Sequence, residues 1–268
     1  MTNEDINSDD LLIDPSLFDD SSLTSSPSDT KLYSEHDAIA FLSNLPKPVD
    51  PFWLRPPVLN ADQVRKLYKM AEILTTICRQ ENVPIWIDGG TLLGAVRHKG
   101  LIPWDDDLDF SMMKSDLKPF MQRVLPRLRS SAYDVAEWWF GGYRIFPLDG
   151  DPISHNGHQC RYPFADLFLM RLDKHTDRIV YWDYRARCLW PSGLTPCHLW
   201  PLRQHQFGPL ALPGPHDHQP HLDSLYGRDW PHVVYQTRED HRDSGWRTTK
   251  IRVKLDTFPA LLPSPLVQ

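Results

Sequence analysis

The chain has 268 residues, 41% of them hydrophobic, and a formal net charge of −6. That length supports one large domain or two small ones, and no run of eighteen apolar residues is present to form a transmembrane helix. The charge is uneven: residues 1–50 carry eleven acidic and two basic side chains, leaving the rest mildly basic at +3. This suits an anionic substrate, and without a basic stripe interleaved with aromatics it excludes a nucleic-acid footprint.

The opening MTNEDINSDD has neither a basic nor an apolar leader segment, and none of the six asparagines lies in an Asn-x-Ser/Thr sequon. Four cysteines (Cys78, Cys160, Cys188, Cys197) are too few for a disulfide scaffold in a chain this long. The expectation is a cytoplasmic protein with reduced thiols, with secretory-pathway association left open.

Residues 1–50, rich in Ser, Asp and Pro, read as a disordered acidic tail, and Pro46, Pro48 and Pro51 mark a linker. Asn60 to Gln80 reads as the first firm helix: Val64, Leu67, Tyr68, Ala71, Leu74 and Cys78 recur at three- and four-residue steps, and Asn60 is an N-cap candidate. Ile85–Asp88 is a short strand. Ser115 to about Leu128 predicts a helix, and Gly141-Gly142 predicts a hairpin between Tyr133–Phe140 and Tyr143–Pro147. Asp149–Gln159 reads as a polar loop. Tyr162–Leu172 is nearly continuously apolar, as a central strand buried on both faces would be. Ile179–Trp182 and Pro209–Leu212 are shorter strand candidates. Residues 213–221 read as a loop rich in Pro and His, and Leu222–Tyr226 as a helical turn stopped by Gly227.

The densest chemistry lies between Ile85 and Phe110. Gly89-Gly90-Thr91 follows a strand and precedes Leu92, Leu93 and Val96. Such a turn lets a phosphate approach the backbone, with Thr91 free to cap the helix; an ordinary tight turn is the alternative. Asp105, Asp107 and Asp109 share one parity, so in a strand they would crowd one face and repel. A divalent cation relieves that row, and magnesium takes carboxylate and phosphate oxygens; a solvated acidic turn is the competing reading. Arg97, His98 and Lys99 close the helix, either to complement its dipole or to put Arg97 or Lys99 on a phosphate oxygen. Asp166 sits in the apolar run Phe164-Ala165-Asp166-Leu167-Phe168, where an unpaired carboxylate would cost several kcal/mol. It therefore has a partner: an arginine such as Arg144 or Arg161, or a metal, unless it serves as a general base. Arg144 itself could contact a phosphate or form a salt bridge.

Other groups read more simply. His155, His158, Cys160, Cys188, Cys197 and His198 are spaced too irregularly for a firm zinc site. His216, His218 and His221 read as a solvated loop. Trp138 and Trp139 read as core, with stacking on a base or choline as the sharper alternative.

The stretch WIDGGTLLGAVRHKGLIPWDDDLDF at 86–110 resembles the signature of the LicD and fukutin-related proteins. The likeness continues through FADLF at 164–168, LWPLRQHQFGPLALPGP at 199–215 and LDSLYGRDW at 222–230. The resemblance implies an α/β (α+β) nucleotidyltransferase-like fold, a mixed β-sheet flanked by helices, in a domain spanning 51–250 between the tail 1–50 and a C-terminal tail 251–268. It implies transfer of a phospho-substituted group, such as phosphocholine or a polyol phosphate, from a CDP-linked donor to a glycan or other hydroxyl acceptor, with two Mg²⁺ or Mn²⁺ ions. By position, Gly89, Gly90 and Thr91 would hold donor phosphates with Arg97, Lys99 and Arg144 as substrate contacts, and Asp107, Asp109 and Asp166 would be the metal-binding catalytic carboxylates. Asp105 takes a lesser ligand or turn role. Two alternatives remain: nucleotidyl transfer to a protein or small molecule, and a scaffold that keeps the fold without turnover.

Overall fold

The computed structural model describes residues 59–103, 105–155, 158–190, 193–231, 233–238 and 247–254. The expected acidic tail lies outside them.

Helix α1, Ala61–Gln80, forms where the periodicity predicts it. Asn60 accepts from the Gln63 backbone N–H at 2.9 Å, and Gln63 Oε1 accepts from the Asn60 N–H at 2.9 Å. Two otherwise orphan donors are satisfied reciprocally, an arrangement whose cap alone is worth about 1 kcal/mol. The apolar positions predicted for its inner face are all buried, joined by Met70 and Ile77. That face packs on strands of the central sheet, and burying Leu67 and Leu74 contributes about 2 kcal/mol each.

The central sheet has six strands: β1 Trp86–Ile87, β2 Leu108–Met113, β3 Tyr133–Trp138, β4 Gly142–Pro147, β7 Ala165–Asp173 and β8 Arg178–Tyr181. Their order is β1-β2-β7-β4-β3, with β8 also paired to β7. The sheet is mixed, since β2 and β7 run parallel while the other pairs are antiparallel. A parallel pair needs a long crossover. Here it is residues 114–164, which hold an irregular helical stretch (α3, 114–130) and the predicted hairpin β3–β4. Double-sided burial of β7 holds from Ala165 to Met170 and ends at Arg171. Its first residues pair with β4 on one side and its later ones with β8 on that same side.

Two expectations are corrected, and one strand is added that the sequence reading did not mark. Residues 149–159 are not a plain loop: β5 Asp151–His155 and β6 His158–Tyr162 form their own antiparallel pair. The Asn156-Gly157 dipeptide between them is a two-residue hairpin signal that polar composition obscures. Strand β9, Arg203–Phe207, pairs with β10, Leu210–Gly214, and was hidden by its polar outer residues. The Pro- and His-rich stretch does not run as loop to 221, because helix α6 spans Gln219–Tyr226 and Pro220 sits in its first turn, where no N–H is needed. The short helices α4, Tyr184–Leu189, and α5, Pro196–Leu199, connect β8 to β9, and β11 Val233–Arg238 pairs with β12 Arg247–Lys254. Among the described residues no helix is long and apolar enough to cross a membrane.

Candidate active site

The predicted strand–turn–helix is present. Helix α2, Gly89–Leu93, starts directly after β1 and continues as a wider turn over Gly94–His98. Its cap is Asp88, not Thr91: Asp88 Oδ1 accepts from the Gly89 N–H at 2.8 Å. Thr91 lies inside the helix, and its Oγ1 accepts from the Asp109 N–H at 2.7 Å, tying α2 to the first residues of β2.

The acidic row is only partly a strand. Pairing begins at Leu108, and Asp105–Asp107 precede it in an irregular turn in which the Asp105 N–H donates to Ile102 O at 3.0 Å. That turn gathers three carboxylates. Asp105, Asp106 and Asp107 each offer an oxygen within 4.8 Å of the others. Asp105, given a lesser role by sequence, belongs to this group and also faces the glycine turn. A Cβ on Gly90 would fall 2.5 Å from Asp105 Oδ2 and 3.3 Å from Asp109 Oδ2. A Cβ on Gly89, whose φ is +44°, would fall 2.5 Å from Asp109 Oδ2. At the two glycines the backbone comes so close to these carboxylates that an added Cβ would make an Asp side chain move, and at Gly89 the positive φ favours glycine as well.

The amides predicted to cradle phosphates are engaged. The Gly90 N–H donates to Asp109 Oδ2 at 2.7 Å, and Gly89 N–H to Asp88.

Register sets a row of charge across the sheet. Asp109 of β2 is the partner of Asp166 of β7, and Asp166 is in turn the partner of Arg144 of β4. One residue beyond β1, the Asp88 N–H donates to Asp109 O at 3.1 Å. Burial pushes the Asp109 carboxyl well above its usual range, and the neighbouring Asp105, Asp166 and Asp88 push the same way, with the Gly90 N–H opposing. Asp166 is balanced differently: Arg144 Nε donates to its Oδ1 at 2.7 Å and Nη2 to its Oδ2 at 3.4 Å. The guanidinium lies between Phe164 and Trp138, 3.5 and 3.7 Å from their ring centres. Of the readings open for Asp166, the structure shows the arginine partner, and Trp138 serves that arginine as a buried stacking surface. A cluster of carboxylates, made of oxygen donors only, fits a hard divalent ion such as Mg²⁺.

Arg97 is half-buried and its Nη1 donates to Trp230 O at 3.2 Å. Burial lowers its pKa to about 10 against the opposing pull of Tyr226 and Asp105, so it lies on the side of the acidic turn. Lys99 does not join this group: it is exposed, left-handed at φ 63°, and its Nζ donates to Val96 O at 3.0 Å as a helix-end cap.

The sequence reading gave Asp88, Ser111 and Tyr226 no role and took His221 for part of a solvated loop, whereas His221 is buried. Ser111 Oγ donates to Asp88 Oδ2 at 2.6 Å, and His221 Nε2 lies 2.5 Å from Asp88 Oδ1. Burial alone would raise the Asp88 pKa, but His221, Ser111 and the Gly89 N–H together hold it below its usual value. The argument that singled out Asp166 applies equally to Asp88, which follows Ile85-Trp86-Ile87. Tyr226 of α6 also faces the acidic residues: burial, then Asp109, Asp105 and Asp88, raise its phenol well above the ordinary range.

The family model described as "LicD/FKTN/FKRP, nucleotidyltransferase domain" matches residues 82–217, half of the chain. The chain belongs to the LicD/FKTN/FKRP family. An uncharacterised Rickettsia prowazekii protein is 29% identical over 186 residues, covering 68% of this chain and 62% of that one. The lipopolysaccharide cholinephosphotransferase LicD of Haemophilus influenzae is 44% identical over 111 residues, 39% of this chain and 42% of that one. The human ribitol 5-phosphate transferase FKRP is 37% identical over 54 residues, 20% of this chain and 11% of that one. The chain thus spans about three-fifths or less of the length of these relatives. The matched family region contains β1, the Gly89-Gly90 turn, the acidic turn, β2, Arg144 and Asp166, while α6 with His221 lies beyond it.

Proposed function

We propose that the protein is a divalent-metal-dependent transferase that moves a phospho-substituted group, of the phosphocholine or polyol-phosphate kind, from a CDP-linked donor to a hydroxyl of a glycan or similar acceptor. The observation that carries the reading is the convergence of Asp105 and Asp109 on the Gly89-Gly90 turn, in a member of this family.

In this reading Asp105, Asp107 and Asp109 hold Mg²⁺ or Mn²⁺, with Asp166 on the neighbouring strand as a further carboxylate. The ion would neutralise the donor's phosphate oxygens and polarise the phosphorus under attack. The protein's own residues do the rest. Gly89 and Gly90 leave room for a phosphate against the backbone, and the Gly90 N–H is the donor that would turn to it. Arg97 supplies a cation beside the acidic turn. Asp166 Oδ2, which keeps only the longer 3.4 Å contact to Arg144, is the oxygen positioned to accept a proton. The acceptor oxygen forms a bond to the donor's distal phosphorus, the bridging P–O bond breaks, CMP leaves, and the hydroxyl proton passes to Asp166.

The test is a thermal-shift series with CDP-choline, CDP-ribitol and CDP-glycerol, with and without Mn²⁺. A donor at about 100 times its Kd stabilises the native state by about 2.7 kcal/mol. The expected result is a metal-dependent rise that disappears in the Asp107→Asn/Asp109→Asn double variant; an equal rise in that variant would sink the reading. Product analysis with labelled donor separates the nucleotidyl alternative, in which base and α-phosphate stay on the acceptor.

A further inference from the structure

Asp88 is a node. It is 1% exposed and joins three segments distant in sequence: the turn before α2 through the Gly89 N–H, strand β2 through Ser111 Oγ, and helix α6 through His221. Two more hydrogen bonds carry its position to the metal-side carboxylate. The Asp88 N–H donates to Asp109 O, and one residue past Gly89 the Gly90 N–H donates to Asp109 Oδ2. The placement of Asp88 thus determines how the glycine turn meets Asp109.

His221 is more than the cap requires. An aspartate N-cap works through the helix amide alone, and Asp88 already has that amide and a serine hydroxyl. The His221 side chain is fully enclosed, 133 residues along the chain, and spends Nε2 on Asp88. Its other ring nitrogen, Nδ1, is buried with no hydrogen-bond partner among the described residues. A buried unsatisfied nitrogen costs about 1–3 kcal/mol, and the chain carries that cost to keep Nε2 on the enclosed Asp88 carboxylate. Histidines and carboxylates behind a metal site orient its ligands, and their loss typically weakens metal binding about 10–100-fold.

We propose that His221 is a positioning residue: through its hydrogen bond to Asp88 it fixes the Gly89-Gly90 turn, and thereby the Asp109 carboxylate, for metal and phosphate. This rests on the functional reading above, and it assigns part of the site to helix α6, outside the matched family region.

The experiment compares His221→Leu, His221→Asn and His221→Gln with wild type in two measurements. One is amide exchange at Gly90 by NMR on metal-free protein; the other is Mn²⁺ affinity by titration calorimetry with the metal alone. Gln places a donor near the Nε2 position, whereas Asn is too short to reach. Leu222→Ala, a buried change on the same helix, controls for simple loss of stability. The expected result is faster Gly90 exchange and at least ten-fold weaker Mn²⁺ binding in the Leu and Asn variants, with Gln within about three-fold of wild type and Leu222→Ala unchanged in both. Should the Leu variant not fold, the Asn–Gln comparison decides. Wild-type Gly90 exchange in the Asn variant, or equal impairment in Gln and Asn, overturns the proposal. Wild-type protein that binds no Mn²⁺ overturns the functional reading instead, and Gly90 exchange then still decides whether His221 positions the turn.

Discussion

Arg144 and Asp166 are register partners on β4 and β7, and the buried guanidinium donates to the carboxylate while held between two aromatic rings. The pair divides the site, because it leaves Asp166 compensated and Asp109, next in the row, with no salt-bridge partner among the described residues.

Breaking that pair from one side should be costly. Arg144→Leu leaves a buried carboxylate, and such changes cost about 3–5 kcal/mol. Urea denaturation should show a loss of that size, and the double change Arg144→Leu/Asp166→Leu should recover a large part of it. A double variant as unstable as the single one would contradict this account.

Asp109→Asn should stabilise the metal-free protein. The substitution removes one of several crowded negative charges and keeps an oxygen to accept from Gly90. The unfolding midpoint in EDTA should rise while Mn²⁺ binding disappears, as a site that stores strain for function predicts. A lower midpoint in EDTA would show that the carboxylate is not repelled by its neighbours.

The two glycines should fail differently. In Gly90→Ala the new methyl meets the far ends of two Asp side chains, which can swing away, so the fold should tolerate it while Mn²⁺ affinity falls. Gly89→Ala adds a left-handed backbone, costing about 1–2 kcal/mol more. Paired measurements of midpoint and Mn²⁺ affinity check this, and equal midpoints for the two variants would count against it.

Stability should fall on mild acidification. Burial lowers the pKa of His98 to about 4, and it also lowers His205 and His218. The unfolded chain then binds more protons than the native one between the usual histidine pKa of about 6.5 and the depressed values, so stability rises with pH across that window and is lost as pH falls through it. The raised Asp109 carboxyl has the opposite sign, so the clean measurement is the urea midpoint from pH 7.5 to 5 in the Asp109→Asn background. His98→Gln should flatten that profile; an unchanged slope would refute the assignment.

Local features of the fold were legible in sequence, and long-range ones were not. Asn60 with the spacing of Val64 to Cys78 reads as a capped helix because both signals sit within a few residues. Gly141-Gly142 and the apolar run into Leu172 read correctly for the same reason. Asp166 was recognisable as a carboxylate needing a partner, and its partner was among the arginines considered. Strand β9 and the β5–β6 pair were missed because polar residues fill their outward positions. His221 was missed because prolines and histidines resemble loop by composition, while the carboxylate that explains it lies 133 residues upstream. The gathering of Asp105 with Asp106 and Asp107 in a turn was hidden by a parity argument that holds only once a strand has begun.

The order in which the chain supplies these parts has a consequence for biosynthesis. The glycine turn and the acidic turn emerge from the ribosome together, but Asp166 can reach Asp109 only after the whole 114–164 crossover has been made. His221 reaches Asp88 later still. Contacts so distant in sequence close slowly. The site is therefore completed last by the parts of the chain made last, and a chain cut before helix α6 would carry the glycine turn without the histidine that holds Asp88.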